Sequence, residues 1–178
     1  MARWLVSLVL FSSTGFSGAC LAGASVLELL SDGQNISPQT FMLQVEKDYP
    51  GVISEFEIDV EKGELIYEIS VIDTSAETIT EFEFRAKDGR LIHQQVESLE
   101  ADDKDELKAV SVMEGESLTF SYLVKQAMAD SQAHIVEAQL DHDLNISYLE
   151  LKLLDGNGKS KVAFDIKTQR PLPMLKWN

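Results

Sequence analysis

Cysteine, positive charge and long apolar runs are all scarce in this sequence, and each scarcity closes off a class of protein. Of 178 residues, one is cysteine, Cys20. A lone thiol supports neither an internal disulfide framework nor a Cys-rich metal site. Lys and Arg number 15 against 30 Asp and Glu, a formal net charge of -15. That excess repels phosphate backbones and anionic headgroups, which argues against nucleic acid and against polybasic docking to membranes. Glycine loops that cradle phosphate and the Gly-x-Ser-x-Gly elbow of many hydrolases do not occur. The one apolar run, Trp4 to Phe11 broken by Ser7, is short for a membrane span.

What that run does fit is a leader. Arg3 precedes it, and a stretch of small residues carries it to Ala22-Gly23-Ala24. The layout is that of a secretory signal peptide over residues 1–24, cleaved between Ala24 and Ser25. Cleavage there removes Cys20, leaving a mature chain without thiols. Ser17-Gly18-Ala19-Cys20 also resembles a bacterial lipobox, with Ser17 where a branched apolar residue is usual. On that reading Cys20 is the lipidated N-terminus, and membrane contact occurs only through its lipid. Either way the expectation is a bacterial periplasmic or secreted protein, free or lipid-anchored.

Past the leader the sequence runs in parallel with itself. "SPQTFMLQVEKDYPG" offers Ser37 as a helix N-cap, Pro38 at the first helical position and Phe41, Val45 and Tyr49 as an apolar stripe. Phe120, Val124 and Met128 repeat the stripe 79 positions on, with Ser117 as the expected cap. "EFEIDVEKGELIYEISVID" alternates apolar and acidic residues on both sides of Lys62-Gly63, the signature of a hairpin with one dry face. Ala138, Leu140, Leu149, Leu151 and Leu153 follow it 82 positions later. A third strand carries Phe82 and Phe84, then Val162 and Phe164, 80 apart. The offset changes only in turns, which predicts two copies of one fold.

The expected architecture is α+β: two tandem copies, each one helix packed on a three- to four-stranded antiparallel sheet, the copies packing together with sheet edge against sheet edge as one arrangement. The first copy is assigned to residues 25–96 and the second to 117–178. The charged segment 97–116 between them reads as a linker, and its "LKAVSVM" fits either a short strand or a helical turn.

Candidates for chemistry are few. His142 lies between Asp141 and Asp143, but neighbours on a strand point to opposite faces and cannot converge on one ion. Asp103, Asp105 and Glu114 have the spacing of calcium-loop ligands, yet Leu107 and Lys108 stand where a ligand and the turning glycine belong. "DGNGK" reads as a hairpin turn. Neither His93 nor His134 has a partner set. No catalytic residue, metal or cofactor is therefore assigned, and the expectation is a protein that is not an enzyme.

The helix ending in Pro50-Gly51, the "YEISV" strand and "FRAKDGRLI" together resemble the PepSY family. "FDIKTQRPL" is similar to the family's usual ending through Asp165, Lys167 and Thr168, with Gln169 where glycine is usual. In "FRAKDGRLI", Ala86, Lys87 and Gly89 fit, whereas Arg85 and Asp88 depart from it. The second copy has Leu149 in place of the tyrosine and Ala129-Asp130 in place of Pro-Gly. The likeness spans about residues 37 to 172 and is mostly structural. It implies a helix-plus-sheet module of envelope proteins that binds or regulates another envelope protein, with a peptidase as one candidate partner; small open sheets leave unpaired backbone groups at their edges, where an added strand would make the contact. The rival expectation is a small-molecule or lipid carrier, with Phe56, Tyr67, Phe82 and Phe84 lining its cavity.

Overall fold

The computed structural model describes residues 26–101 and 103–173. Cys20, Ala24 and Ser25, and with them the expectations about cleavage and lipidation, lie outside the described residues. Two short runs of helix each precede a run of strands. Helices α1 (Val26–Ser31) and α2 (Pro38–Asp48) lead into β1 (Val52–Glu61), β2 (Glu64–Asp73), β3 (Thr78–Arg85) and β4 (Arg90–Ser98). Helices α3 (Lys104–Gly115) and α4 (Phe120–Ala127) lead into β5 (His134–Asp143), β6 (Ile146–Asp155), β7 (Gly158–Asp165) and β8 (Arg170–Pro171).

Local signals explain most boundaries. Ser37 sits extended ahead of α2, and its hydroxyl accepts from the Thr40 N–H at 3.3 Å while Pro38 opens the helix. Tyr49 ends it, donating its N–H to the Val45 carbonyl. Gly51 then turns the chain at φ +114°, where a Cβ would come within 2.6 Å of the Ile72 carbonyl oxygen. Lys62 and Gly63 both take positive φ, closing the β1–β2 hairpin with the twist its strands need. Leu144 and Asn145 do the same between β5 and β6. At α4 the cap is Thr119, whose side chain accepts from the Tyr122 N–H, and not the expected Ser117. Ser117 instead bends the α3–α4 link at φ +54°.

The expected unit, one helix on its own three- to four-stranded sheet, is overturned. All eight strands form one antiparallel sheet in the order β4-β3-β2-β1-β5-β6-β7-β8. The join is antiparallel between β1 and β5, with Glu55 opposite Gln139, Phe56 opposite Ala138 and Glu57 opposite Glu137. Phe56 and Ala138, both fully buried, set a large side chain against a small one at the centre. The physical reason is economy of surface. Two sheets of about 60 residues would each leave the β1 or β5 edge unpaired, and each would bury too little to be stable. Joined, they share one hydrophobic core, to which α2, α4 and strands from both halves contribute.

Residues 104–115, inside the segment assigned to a linker, form α3 and bury Ala109, Val110 and Met113. Asp105 and Glu106, which made the segment look like solvated charge, occupy the first helical turn. Carboxylates there are favoured by the helix dipole. From α3, Glu106 accepts from Gln139 of β5 at 3.3 Å and Glu114 from Thr74 at 3.1 Å, just past β2.

Candidate protein-binding edge

The residues that sequence reasoning singled out do not converge. His142 Nδ1 lies 2.8 Å from Ser147 Oγ, while Asp141 accepts from the Tyr148 hydroxyl and Asp143 from the Leu144 N–H. His134 is 3.3 Å from Ser31, and His93 sits on β4. Asp103 accepts from the Glu100 N–H, and Asp105 pairs with Lys108 at 2.9 Å. Among the described residues no group of His, Cys, Asp or Glu is arranged to hold a metal ion.

The aromatic residues expected to line a cavity are packed on one another. Phe56 and Tyr67 lie 5.2 Å apart, Tyr67 and Phe41 5.3 Å, and Phe41 and Phe84 5.0 Å between ring centroids. Tyr49 closes over Phe82 at 4.5 Å. These rings are the seam between α2 and the sheet. A cleft of about 480 Å³ lies elsewhere, open to solvent between the start of α2 and the segment after α4, with Ser37, Gln39, Lys125, Met128 and His134 on its walls.

The opposite face of the sheet carries charge in a transverse row. Register places His93, Glu83, Glu68, Glu57, Glu137, Lys152 and Lys161 side by side across seven strands. Lys152 answers Glu137 at 2.5 Å and Lys161 reaches Glu150 at 2.6 Å, so these two carboxylates of the second half each face a lysine. In the first half Glu57, Glu68 and Glu83 face one another directly, an unfavourable arrangement in an antiparallel pair. Desolvation, followed by repulsion from Glu57, Asp59 and Glu83, pushes Glu68 up to about 7. One row along, burial and then Glu106, Glu57 and Glu137 push Glu55 up to about 7.

The two ends of the sheet differ sharply. At one end β8 is two residues long and terminates in Pro171, which has no N–H to offer a further strand. At the other end β4 runs for nine residues, all exposed, and no described strand lies beyond it. Its position follows from the reach of α2. Phe41 and Tyr49 cover Phe84 and Phe82 of β3, the strand next to β4. The hairpin that aims β4 is fixed by Gly89 at φ +68° and by Arg85, whose Nε donates to Asp88 Oδ1 at 2.9 Å. Arg85 and its ion pair hold the Asp88 carboxyl down at about 2.

Along β4 the register slips once, leaving Ile92 as an extra residue between Leu91, opposite Phe84, and His93, opposite Glu83. Leu91, Gln94 and Val96 therefore stand on the helix side of the sheet, and Arg90, His93, Gln95 and Glu97 on the other. Leu91, Ile92 and Val96 are 41%, 47% and 56% exposed. They make up three of the seven large apolar side chains found exposed among the described residues, gathered on one strand. Sequence reasoning identified the hairpin but not this strand's isolation, because nothing within "RLIHQQVES" tells whether a neighbour lies outside it.

No family model matches the chain, and no curated protein matches it. A solved structure from Clostridium difficile 630, described as "a putative lipoprotein", aligns over 82% of this chain and 95% of its own length, at 15% identity and a TM-score of 0.46.

Proposed function

We propose that this chain is an exported, non-enzymatic module that binds another polypeptide by strand addition at β4. The observation that carries the reading is the nine-residue edge itself: exposed on both sides, free of proline and bearing three of the exposed apolar side chains. An incoming strand there would gain main-chain hydrogen bonds from the ladder and side-chain contacts from Leu91 and Val96. Export is supported by the leader-like first 24 residues, and lipid attachment by Cys20. Among the described residues no helix is long and apolar enough to cross a membrane. The PepSY-like motifs bring forward an envelope protein as partner, a peptidase among the candidates.

Photocrosslinking in the cells that make the protein tests this. A photoreactive residue at Val96 is expected to capture a discrete polypeptide, while the same residue at Leu144, exposed in the β5–β6 turn, captures none. Absence of any polypeptide adduct at Val96 and at Leu91 would overturn the reading.

A further inference from the structure

We infer that the strand received by β4 is the β4 of a second copy, paired antiparallel about a two-fold axis at Gln94. The inference rests on the edge reading above and names its occupant. Its first support is electrostatic. A chain with 30 acids and 15 bases repels its own copies over most of its surface. Strand β4 carries little of that charge, because its nine residues hold one Arg, one Glu and one His. The acidic rows of β1, β2 and β3 lie inward from it, so copies meeting edge to edge keep those carboxylates apart.

The second support is the register that the bulge imposes. With Gln94 opposite its own copy, His93 falls opposite Gln95. Crossing the extra residue Ile92, Leu91 then falls opposite Val96, and Arg90 opposite Glu97. Direct partners in a ladder must share a face, and these do: Leu91 and Val96 are both on the helix side, Arg90 and Glu97 both on the other. Without the bulge the same two-fold register would pair Ile92 with Val96, but it would set Leu91 opposite Glu97 and Arg90 opposite Ser98, leaving both charges without an opposite partner. Each dimer contains every pair twice except the Gln94 pair, which lies on the axis. In the single chain the Glu97 carboxylate accepts from Gln95 Nε2, a contact exposed to water and readily exchanged. The product is a continuous sixteen-stranded sheet whose outer ends are the proline-blocked β8 strands, which stops growth at two copies.

Charge reversal tests the pairing. The exported protein is expected to sediment as a dimer at micromolar concentration. Arg90→Glu sets Glu against Glu97 twice, and Glu97→Arg sets Arg against Arg90 twice, so each variant alone should dissociate on the order of tenfold more readily. Mixed, the two variants restore opposite charges at both positions and should form a heterodimer in preference to either homodimer. That rescue also shows both variants folded. A wild-type chain that is monomeric at all concentrations overturns the inference while leaving a foreign strand at β4 open to the crosslinking test. A dimer indifferent to both substitutions overturns it as well, since its interface then lies elsewhere. Failure of the strand-addition reading has a different signature, namely no adduct at Val96 with any polypeptide, this one included.

Discussion

Glu55 shows how a single side chain can make the whole fold sensitive to pH. It stands beside Phe56 on β1, pointing to the face where Glu106 of α3 and Glu57 and Glu137 converge. Burial and those neighbours raise its carboxyl to about 7, and Glu68 is raised to about 7 on the adjacent strand. In an unfolded chain both would titrate near 4.5. Between these values the folded state binds more protons than the unfolded one, so stability falls as pH rises. The penalty is absent below about 4.5, builds through the interval and is complete above about 7. Thermal melts are therefore expected to give a higher midpoint at pH 5 than at pH 8. Glu55→Gln should flatten that slope more than Glu68→Gln, since Glu68 is the more exposed to solvent. An unchanged slope in the double variant would show that overall repulsion in a chain of charge -15, and not these two sites, governs the trend. The alternation of acids along β1 and β2 was legible in the sequence. Which carboxylates meet was not, because that depends on the cross-strand register and on α3.

At the level of elements, α2 and α4 are tied by one carboxylate. Glu46, near the end of α2, accepts the Ser121 backbone N–H at 2.8 Å and also the Ser121 hydroxyl. It thus serves as a second cap for α4, delivered from the other half of the molecule, alongside Thr119. The sequence showed α2 and its cap because Ser37, Pro38 and the stripe are all local. It placed the α4 cap at Ser117, two residues early, because both hydroxyl residues satisfy the local preference and only the link from α3 separates them. It left α3 between strand and helical turn because the buried stripe of Ala109, Val110 and Met113 is small and follows a run of charge. The Glu46 contact joins residues 75 apart and has no local signature. Glu46→Ala should cost about 1–2 kcal/mol, since it strips a helix N-terminus of a partner and leaves the buried Ser121 hydroxyl only its longer contact with Thr119 Oγ1 at 3.3 Å. In a chain of this size that lowers the melting midpoint by roughly 2–8 °C. Glu46→Gln, which keeps an oxygen to accept from Ser121, should lose less. Equal melting of Glu46→Ala and wild type would mean that Thr119 alone suffices.

For the molecule as a whole, the question is whether its halves are separable. Period-two alternation identifies a strand and its dry face but is blind to which edges pair. The sequence therefore revealed the hairpins of each half and allowed their sheets to meet edge to edge, but did not name β1 and β5 as the strands that join them into one sheet. That join decides stability. In the intact chain Phe56 is buried against Ala138, the Glu55–Glu57 edge is paired, and the core runs unbroken beneath α2 and α4. Cut between β4 and α3, the first half would expose that edge of β1 and the side of α2 that faces α4, keeping only the surface a domain of about 60–75 residues can bury. Residues 25–100 alone are thus expected to show broad, non-cooperative loss of ellipticity in urea. Added residues 101–178 should restore a single sigmoidal transition, because the two pieces regenerate the β1–β5 ladder and the Glu46–Ser121 contact. A sharp two-state melt of the isolated first half would show that the join is a docking of two independent domains. The coincidence of its pairing with the centre of the core would then require another explanation.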